Sequence, residues 1–206
     1  MINQQSNLQS IILASQSPRR KQLLEWAEVS FEVIVKETDE SYPHDLSMDA
    51  TAMHIARNKA LAVKEMIINN NDQKNLHKTI VAADTIVVLH NQVIGKPKDR
   101  EHAIQILTSL SGQTHHVVTG VVMLSSDKEI AFADTTEVAF HQLNESQISF
   151  YVDKYKPYDK AGAYAIQEWI GVVGIKSVKG DFYNVMGLPV SRVVQALGNL
   201  AYGFLW

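Results

Sequence analysis

Two short stretches concentrate the side chains that could do chemistry. In residues 12–20, ILASQSPRR, an apolar run ends in Ser15 and Ser17 and continues into Pro18, Arg19 and Arg20. Ser17 reads as a helix N-cap, with Pro18 at the first helical position, where its missing N–H costs nothing. Arg19 and Arg20 then fall in the first turn, a position that opposes the helix dipole. Free N–H groups, hydroxyls and two guanidinium forks at one helix start suit an anion such as phosphate. The plainer alternative is a pair of solvated arginines. GxxxxGK[ST] is absent, so this is not a P-loop. In residues 81–88, VAADTIVV, Asp84 interrupts an apolar strand-like run. A carboxylate there is costly unless something compensates it. It is either a strand-end group facing solvent or a turn, or a metal ligand or general base at the rim of a cleft.

Other candidates are spread along the chain. Glu40 lies in the acidic loop ETDES, and Lys59 is flanked by Ala56, Ala60 and Ala62, so it could reach into a cleft. Lys96 sits in the turn-like IGKP, and Lys160 and Gln167 bracket KAGAYAIQ, whose small residues permit close approach to a ligand. His115 and His116 are adjacent in a strand-like run, so they point to opposite faces and do not share a metal easily. No HExxH spacing occurs among the 8 histidines. With no cysteine, disulfides, thiolate catalysis and Cys-based zinc sites are excluded. A net charge of −3 argues against non-specific nucleic-acid binding, and Trp169, Trp206 and the tyrosines are too scattered for a base-stacking platform. No apolar run approaches the roughly 20 residues that span a bilayer. The expectation is a soluble cytoplasmic protein with no membrane or nucleic-acid partner.

These side chains need a scaffold, and the hydrophobic periodicity supplies its outline. Residues 11–15 and 31–35 read as strands on either side of a helix starting at Pro18, whose apolar face is Leu23, Leu24 and Ala27. The longest helix runs over 47–69, with Met53, Ala56, Ala60, Val63 and Ile67 on one side. TIVAADTIVVLHNQVIGKP reads as a hairpin around HNQ, closed by Gly95 and Pro97. Asp99 caps a helix with Ala103, Ile106, Leu107 and Leu110 inward, stopped at Ser111 and Gly112. HHVVTGVVMLSS and EIAFADTTEVAFHQL form a pair of β runs split by SDKE, and Asn144 starts a helix to about Tyr155. The stretch AGAYAIQEWIGVVGIKSVKGDFYNVMGLP reads as strand- and glycine-rich, and Pro189 opens a last helix ended by Gly198. With 46% apolar residues over 206, this predicts a mixed α/β (α+β) fold. Its curved mixed β-sheet would be flanked by helices, with two lobes around a shared cleft. Residues 1–10 form a polar N-terminal extension and 11–206 a single domain, with no internal repeat.

Taken together, LASQSPRR, the acidic loop ending at Glu40, ARNKA, AADTIVV, GKP, SGQTHHVVTG, DKAGAYAIQ and GDFYNVMGLP resemble the Maf family of nucleoside triphosphate pyrophosphatases. They occur in family order over about 11–198, and Ala165 stands where the family usually has glycine. The resemblance implies cleavage between the α and β phosphates, giving a nucleoside monophosphate and pyrophosphate, with a divalent metal, Mg²⁺ or Mn²⁺. By position, Asp84 matches the proton acceptor, and Arg19, Thr85 and Gln167 match the positions that set base specificity. Arg20, Glu40, Lys59 and Lys96 match the phosphate and metal site. Asp84 and Glu40 would supply hard oxygen ligands to the metal, with Ser15, Ser17 and Lys160 adding contacts to the phosphates. The pattern is similar to the dTTP/UTP subgroup rather than the one preferring 7-methyl-GTP, and a homodimer is expected by analogy. The alternatives are a nucleotide-binding regulator of septum formation with little hydrolysis, and an enzyme acting on a methylated purine.

Overall fold

A computed structural model describes residues 10–126 and 128–200; the rest of the expected N-terminal extension, Asp127 of the SDKE turn and Trp206 lie outside these. Among the described residues the strands are β1 (Ile11–Leu13), β2 (Phe31–Val33), β3 (Ile80–Leu89), β4 (Gln92–Ile94), β5 (Thr114–Leu124), β6 (Glu129–Phe140) and β7 (Ile175–Lys179). The helices are α1 (Pro18–Trp26), α2 (Met48–Asn69), α3 (Arg100–Leu110), α4 (Glu145–Tyr155), α5 (Trp169–Gly174), α6 (Phe182–Met186) and α7 (Val190–Asn199). The strands form one mixed sheet in the order β2-β1-β3-β5-β6-β7, with β4 paired to β3 off this path. β1 runs parallel to β2 and β3, and the remaining pairs are antiparallel.

Side-chain alternation sorts the sheet into two packed faces. Leu13, Val81, Ala83, Val87 and Val121 join the larger core with Leu23, Leu107, Val152 and Val193 from the helices. Ile12, Ala14, Ile80, Ala82 and Val122 meet Ala56, Ala60, Val63 and Ile67 of α2 on the other face. The helix starts follow local hydrogen bonding. Ser47 accepts from Ala50 N–H, Asp99 from His102 N–H, and Asn144 makes a full capping box with Gln147. Ser17 differs: it precedes α1 as expected, but its side chain makes no capping bond.

Three expectations are corrected. The first two strands end early, at Leu13 and Val33, and Ala14, Ser15 and residues 35–38 instead line a cavity. The last helix passes through Gly198 to Asn199, because nothing crowds that glycine and it sits in the helix's final turn. The segment read as strand-rich keeps only β7 as a strand, and the rest of its regular structure is a 3₁₀ turn at Ala161–Ala163, then α5 and α6. WIGVVG has the β-branched content of a strand, yet Gly171 packs so tightly on Ile166 that a Cβ would lie 1.6 Å from its carbonyl oxygen. Tertiary packing overrides propensity there.

His115 and His116 do point to opposite faces, the first buried and the second exposed. His115 lies edge-on to Phe140 and Tyr164, its Nε2 is 2.7 Å from Tyr164 Oη, and its buried Nδ1 has no partner. Burial pushes its pKa down from 6.5 to about 4, helped by the neighbouring His116. The unfolded chain therefore takes up a proton first as pH falls, so stability rises with pH through the window from about 4 to 6.5. Urea unfolding should show about 2 kcal/mol less stability at pH 5 than at pH 7.5, and His115→Phe should flatten that slope. An unchanged slope in the variant would remove His115 as its origin.

Candidate active site

The cavity arises from a fork in the sheet. Along one edge of β3, β1 pairs only at Ile80 and Val81, and β4 pairs only from Val87 to Leu89. Between them the chain opens onto a cavity of about 610 Å³. β1 is also where the strand order reverses, with β2 on one side and β3 on the other, the place where α/β sheets hold ligands beyond strand carboxyl ends. Asp84 and Thr85 sit in this gap. Asp84 is therefore mid-strand, not at a strand end, and adjacent strand residues point to opposite faces.

Asp84 faces α2. Lys59 Nζ donates to Asp84 Oδ1 at 2.6 Å and lies 2.7 Å from Glu40 Oε1, while Lys96 Nζ stands 3.7 Å from Glu40 Oε2. Burial pushes the Glu40 carboxyl up, but the Lys59 hydrogen bond and the charges of Lys59, Lys96 and Arg20 outweigh it and hold it below the usual range. Glu40 thus stays anionic through neutral pH.

Thr85 faces the other way, towards α1 and α6. Arg20 is almost fully buried and forks across three acceptors. Its Nε donates to the Gly187 carbonyl at 2.7 Å, Nη1 to Ser15 Oγ at 3.1 Å and Nη2 to Thr85 Oγ1 at 3.0 Å. Burial lowers its pKa, opposed by Asp84. Ser15 Oγ also accepts from Ser17 N–H at 3.2 Å, so both its lone pairs are engaged and its proton is free to donate. With Pro18 at the first position, no acidic residue in the first turn and no Ser17 cap, the Arg19 and Arg20 amides of α1 have no hydrogen-bond partner among the described residues. Arg19 reaches the cavity too, its Nε on the Met186 carbonyl at 3.2 Å and Nη1 4.0 Å from Asp159. Lys160 is buried between Asp159, at 2.7 Å, and Glu168, at 3.7 Å.

The fork therefore gathers Ser15, Ser17, Arg19, Arg20, Glu40, Lys59, Asp84, Thr85, Lys96 and Lys160 around one cavity. Gln167 is not among its lining residues; its side chain is exposed, two residues beyond the lining Ala165. Residues that sequence reasoning left without a role are Tyr164 and the Met186 and Gly187 carbonyls, which line the cavity, and Thr119 and Asn184 beneath it. All fall inside motifs quoted above, but nothing in their spacing pairs them with Arg20 or Thr85.

The family described as Maf-like protein matches residues 10–200. The chain belongs to the Maf family. It is 44% identical over 188 residues to a dTTP/UTP pyrophosphatase of Parabacteroides distasonis, covering 91% of this chain and 94% of the relative. It is 48% identical over 187 residues to one of Cytophaga hutchinsonii, covering 91% and 82%. It is 44% identical over 191 residues to one of Bacteroides thetaiotaomicron, covering 92% and 95%.

In this Maf-family chain the cavity is lined by two chemically distinct sets of residues. One supplies Lys59, Lys96, Glu40, Asp84, the Ser15 proton and the free α1 amides, and suits a polyanion. The other is Val87, Val117, Tyr164, Ala165, Val185 and Met186 and suits a planar ring. Among the described residues, no group of three or more His, Asp or Glu could hold a metal. The donor set is two carboxylates that converge on the Lys59 ammonium. That set fits a Mg²⁺-type ion, which takes one or two carboxylates and completes its shell with phosphate oxygens and water. It does not fit a zinc cage.

Proposed function

We propose that this chain is a cytoplasmic nucleoside triphosphate pyrophosphatase that hydrolyses dTTP and UTP to the monophosphate and pyrophosphate. The observation that carries the reading is the convergence of Lys59 on Asp84 and Glu40, in one cavity with an unsatisfied helix N-terminus and a set of apolar side chains. The kinship with curated dTTP/UTP pyrophosphatases supports the same substrates. The homodimer and the single domain over 11–206 belong to this proposal as well.

The triphosphate lies along the charged end, its oxygens on the α1 amides, Ser15 Oγ–H, Lys59 and Lys96, with Ser17, Arg19 and Lys160 around it. The Asp84 carboxylate orients a water against the α-phosphorus and takes its proton as the new P–O bond forms. The bond from the α-phosphorus to the bridging oxygen breaks, and the electron pair leaves with pyrophosphate. The lysines meet the charge that develops there, so catalysis is mainly positioning and electrostatics. Glu40 and Asp84 would hold a divalent cation, Mg²⁺ or Mn²⁺, which supplies further neutralisation of phosphate charge when bound. The base lies at the apolar end beside Thr85, with Arg19 at its edge.

Pyrophosphate release should be measured with Mg²⁺ from dTTP, UTP, CTP, ATP, GTP and 7-methyl-GTP. Fast release is expected from dTTP and UTP, with the purines at least about tenfold slower in kcat/KM. Equal rates with 7-methyl-GTP would overturn the base assignment. Nucleotide binding without release from any of them would overturn the hydrolase reading and favour a regulator.

A further inference from the structure

The hydrogen bonds beneath Thr85 run in one direction only. Thr119 Oγ1 lies 3.1 Å from the buried carbonyl oxygen of Asn184, which cannot donate, so the Thr119 proton goes there. Thr85 Oγ1 and Thr119 Oγ1 are 2.9 Å apart, whereas the Gly187 carbonyl, the other acceptor near Thr85, lies at 3.5 Å and already takes the Arg20 Nε–H, so the shorter contact carries the Thr85 proton. Arg20 Nη2, a donor without lone pairs, points at Thr85 Oγ1 from the third side. Reversing Thr85 and Thr119 would leave two bare oxygens facing each other at the Asn184 carbonyl. The relay therefore reads Arg20 to Thr85 to Thr119 to Asn184, and Thr85 keeps one lone pair and no proton for a ligand.

We infer that Thr119, acting with Arg20, fixes Thr85 as a hydrogen-bond acceptor only and thereby selects a base that offers a ring N–H. Uracil and thymine present such a donor at N3, whereas cytosine presents a bare N3 lone pair that repels the Thr85 oxygen. The assignment rests on the pyrimidine-nucleotide reading above, and it deepens that reading by giving base choice a physical cause. Thr85 shares its face of β3 with Val87 and neighbours Val117 and Met186 in the apolar lining of the cavity, where a ring would lie. Thr119 is fully buried and touches no ligand, so it is a positioning residue. Asn184 anchors the relay from the other end, its Nδ2 donating to the Val117 carbonyl and to Thr136 Oγ1, both at 3.0 Å. That gives Asn184 a part in base recognition without any contact to the base.

The test compares wild type, Thr119→Val and Thr119→Ser. Calorimetry would give the affinities for UMP and CMP, and pyrophosphate release would be followed in parallel from UTP and CTP. Wild type should favour uridine, Thr119→Val should lower the uridine-to-cytidine ratio by about tenfold, and Thr119→Ser should keep it. A loss of packing alone would change melting temperature and both affinities together, leaving the ratio untouched. An unchanged ratio in Thr119→Val, or a wild type blind to the base, overturns the inference. If Thr119→Val does not fold, Thr85→Val carries the same test, because it removes the acceptor itself and should abolish the preference. Selective UMP binding lost in the variant, without pyrophosphate release by wild type, would support the inference and sink the hydrolase reading. Release with an unchanged ratio would do the reverse.

Discussion

Replacing Asp84 with Asn should lower kcat for UTP by about a thousandfold while leaving the fold in place, as expected when a general base is removed. Asn keeps the shape and an acceptor oxygen for Lys59, whose ammonium also retains Glu40 at 2.7 Å. What goes is the negative charge and the ability to take a proton. Asp84 sits on a strand paired with β5 from Ile80 to Val88, so the backbone is held regardless of the side chain. Melting temperature should therefore move little, and UMP affinity should stay close to wild type because the base end is untouched. Steady-state pyrophosphate release and circular dichroism together check this. A variant with near-wild-type kcat would show that the attacking water is activated elsewhere, whereas a variant that fails to fold would assign Asp84 a structural charge-balancing role.

Much of this arrangement is legible in the sequence where the causes are local. Ser47, Asp99 and Asn144 announce helix starts because each bonds an amide a few residues on. The β3–β4 turn is legible for a related reason: His90 and Asn91 both adopt positive φ, as a two-residue hairpin turn requires. The cationic and acidic site residues could be picked out by type, since charges beside apolar runs are costly without a purpose. The fork in the sheet could not, because it depends on where β1 and β4 stop along β3, which is a matter of tertiary pairing. The same holds for Thr119 and Asn184. Each is an ordinary polar residue in an apolar run until Arg20, over a hundred positions from Asn184, fixes the direction of their hydrogen bonds. Gln167 marks the opposite case: a motif places it beside Lys160 and Tyr164, but the turn over 161–165 leaves its side chain facing out. Glycine and β-branched content misdirects the reading of 169–174, where close packing against Ile166 selects a helix.

The site's geometry also hangs on one residue with no side chain. Gly120 of β5 pairs directly across from Asp84 and lies under the first turns of α2. A Cβ there would fall 2.3 Å from both the Ala52 carbonyl carbon and the Met53 nitrogen, and 2.6 Å from the Ala52 oxygen. These are backbone atoms of a 22-residue helix, so no side chain can swing aside, and ordinary contact begins only at 3.4 Å. In Gly120→Ala the helix must lift by roughly an ångström, an overpacking cost of about 3 kcal/mol. Lys59 rides on the same helix, about two turns beyond Ala52. Lifting α2 draws its ammonium away from Asp84 and Glu40, and misplacement on that scale costs about a hundredfold in rate. Urea denaturation and kcat/KM for UTP should therefore fall together in this variant, although the three atoms the methyl group would crowd most are all α2 backbone. Loss of stability with wild-type kcat/KM would mean that Lys59 reaches its partners independently of helix position. Wild-type behaviour in both would mean that α2 does not need this close seat on the sheet.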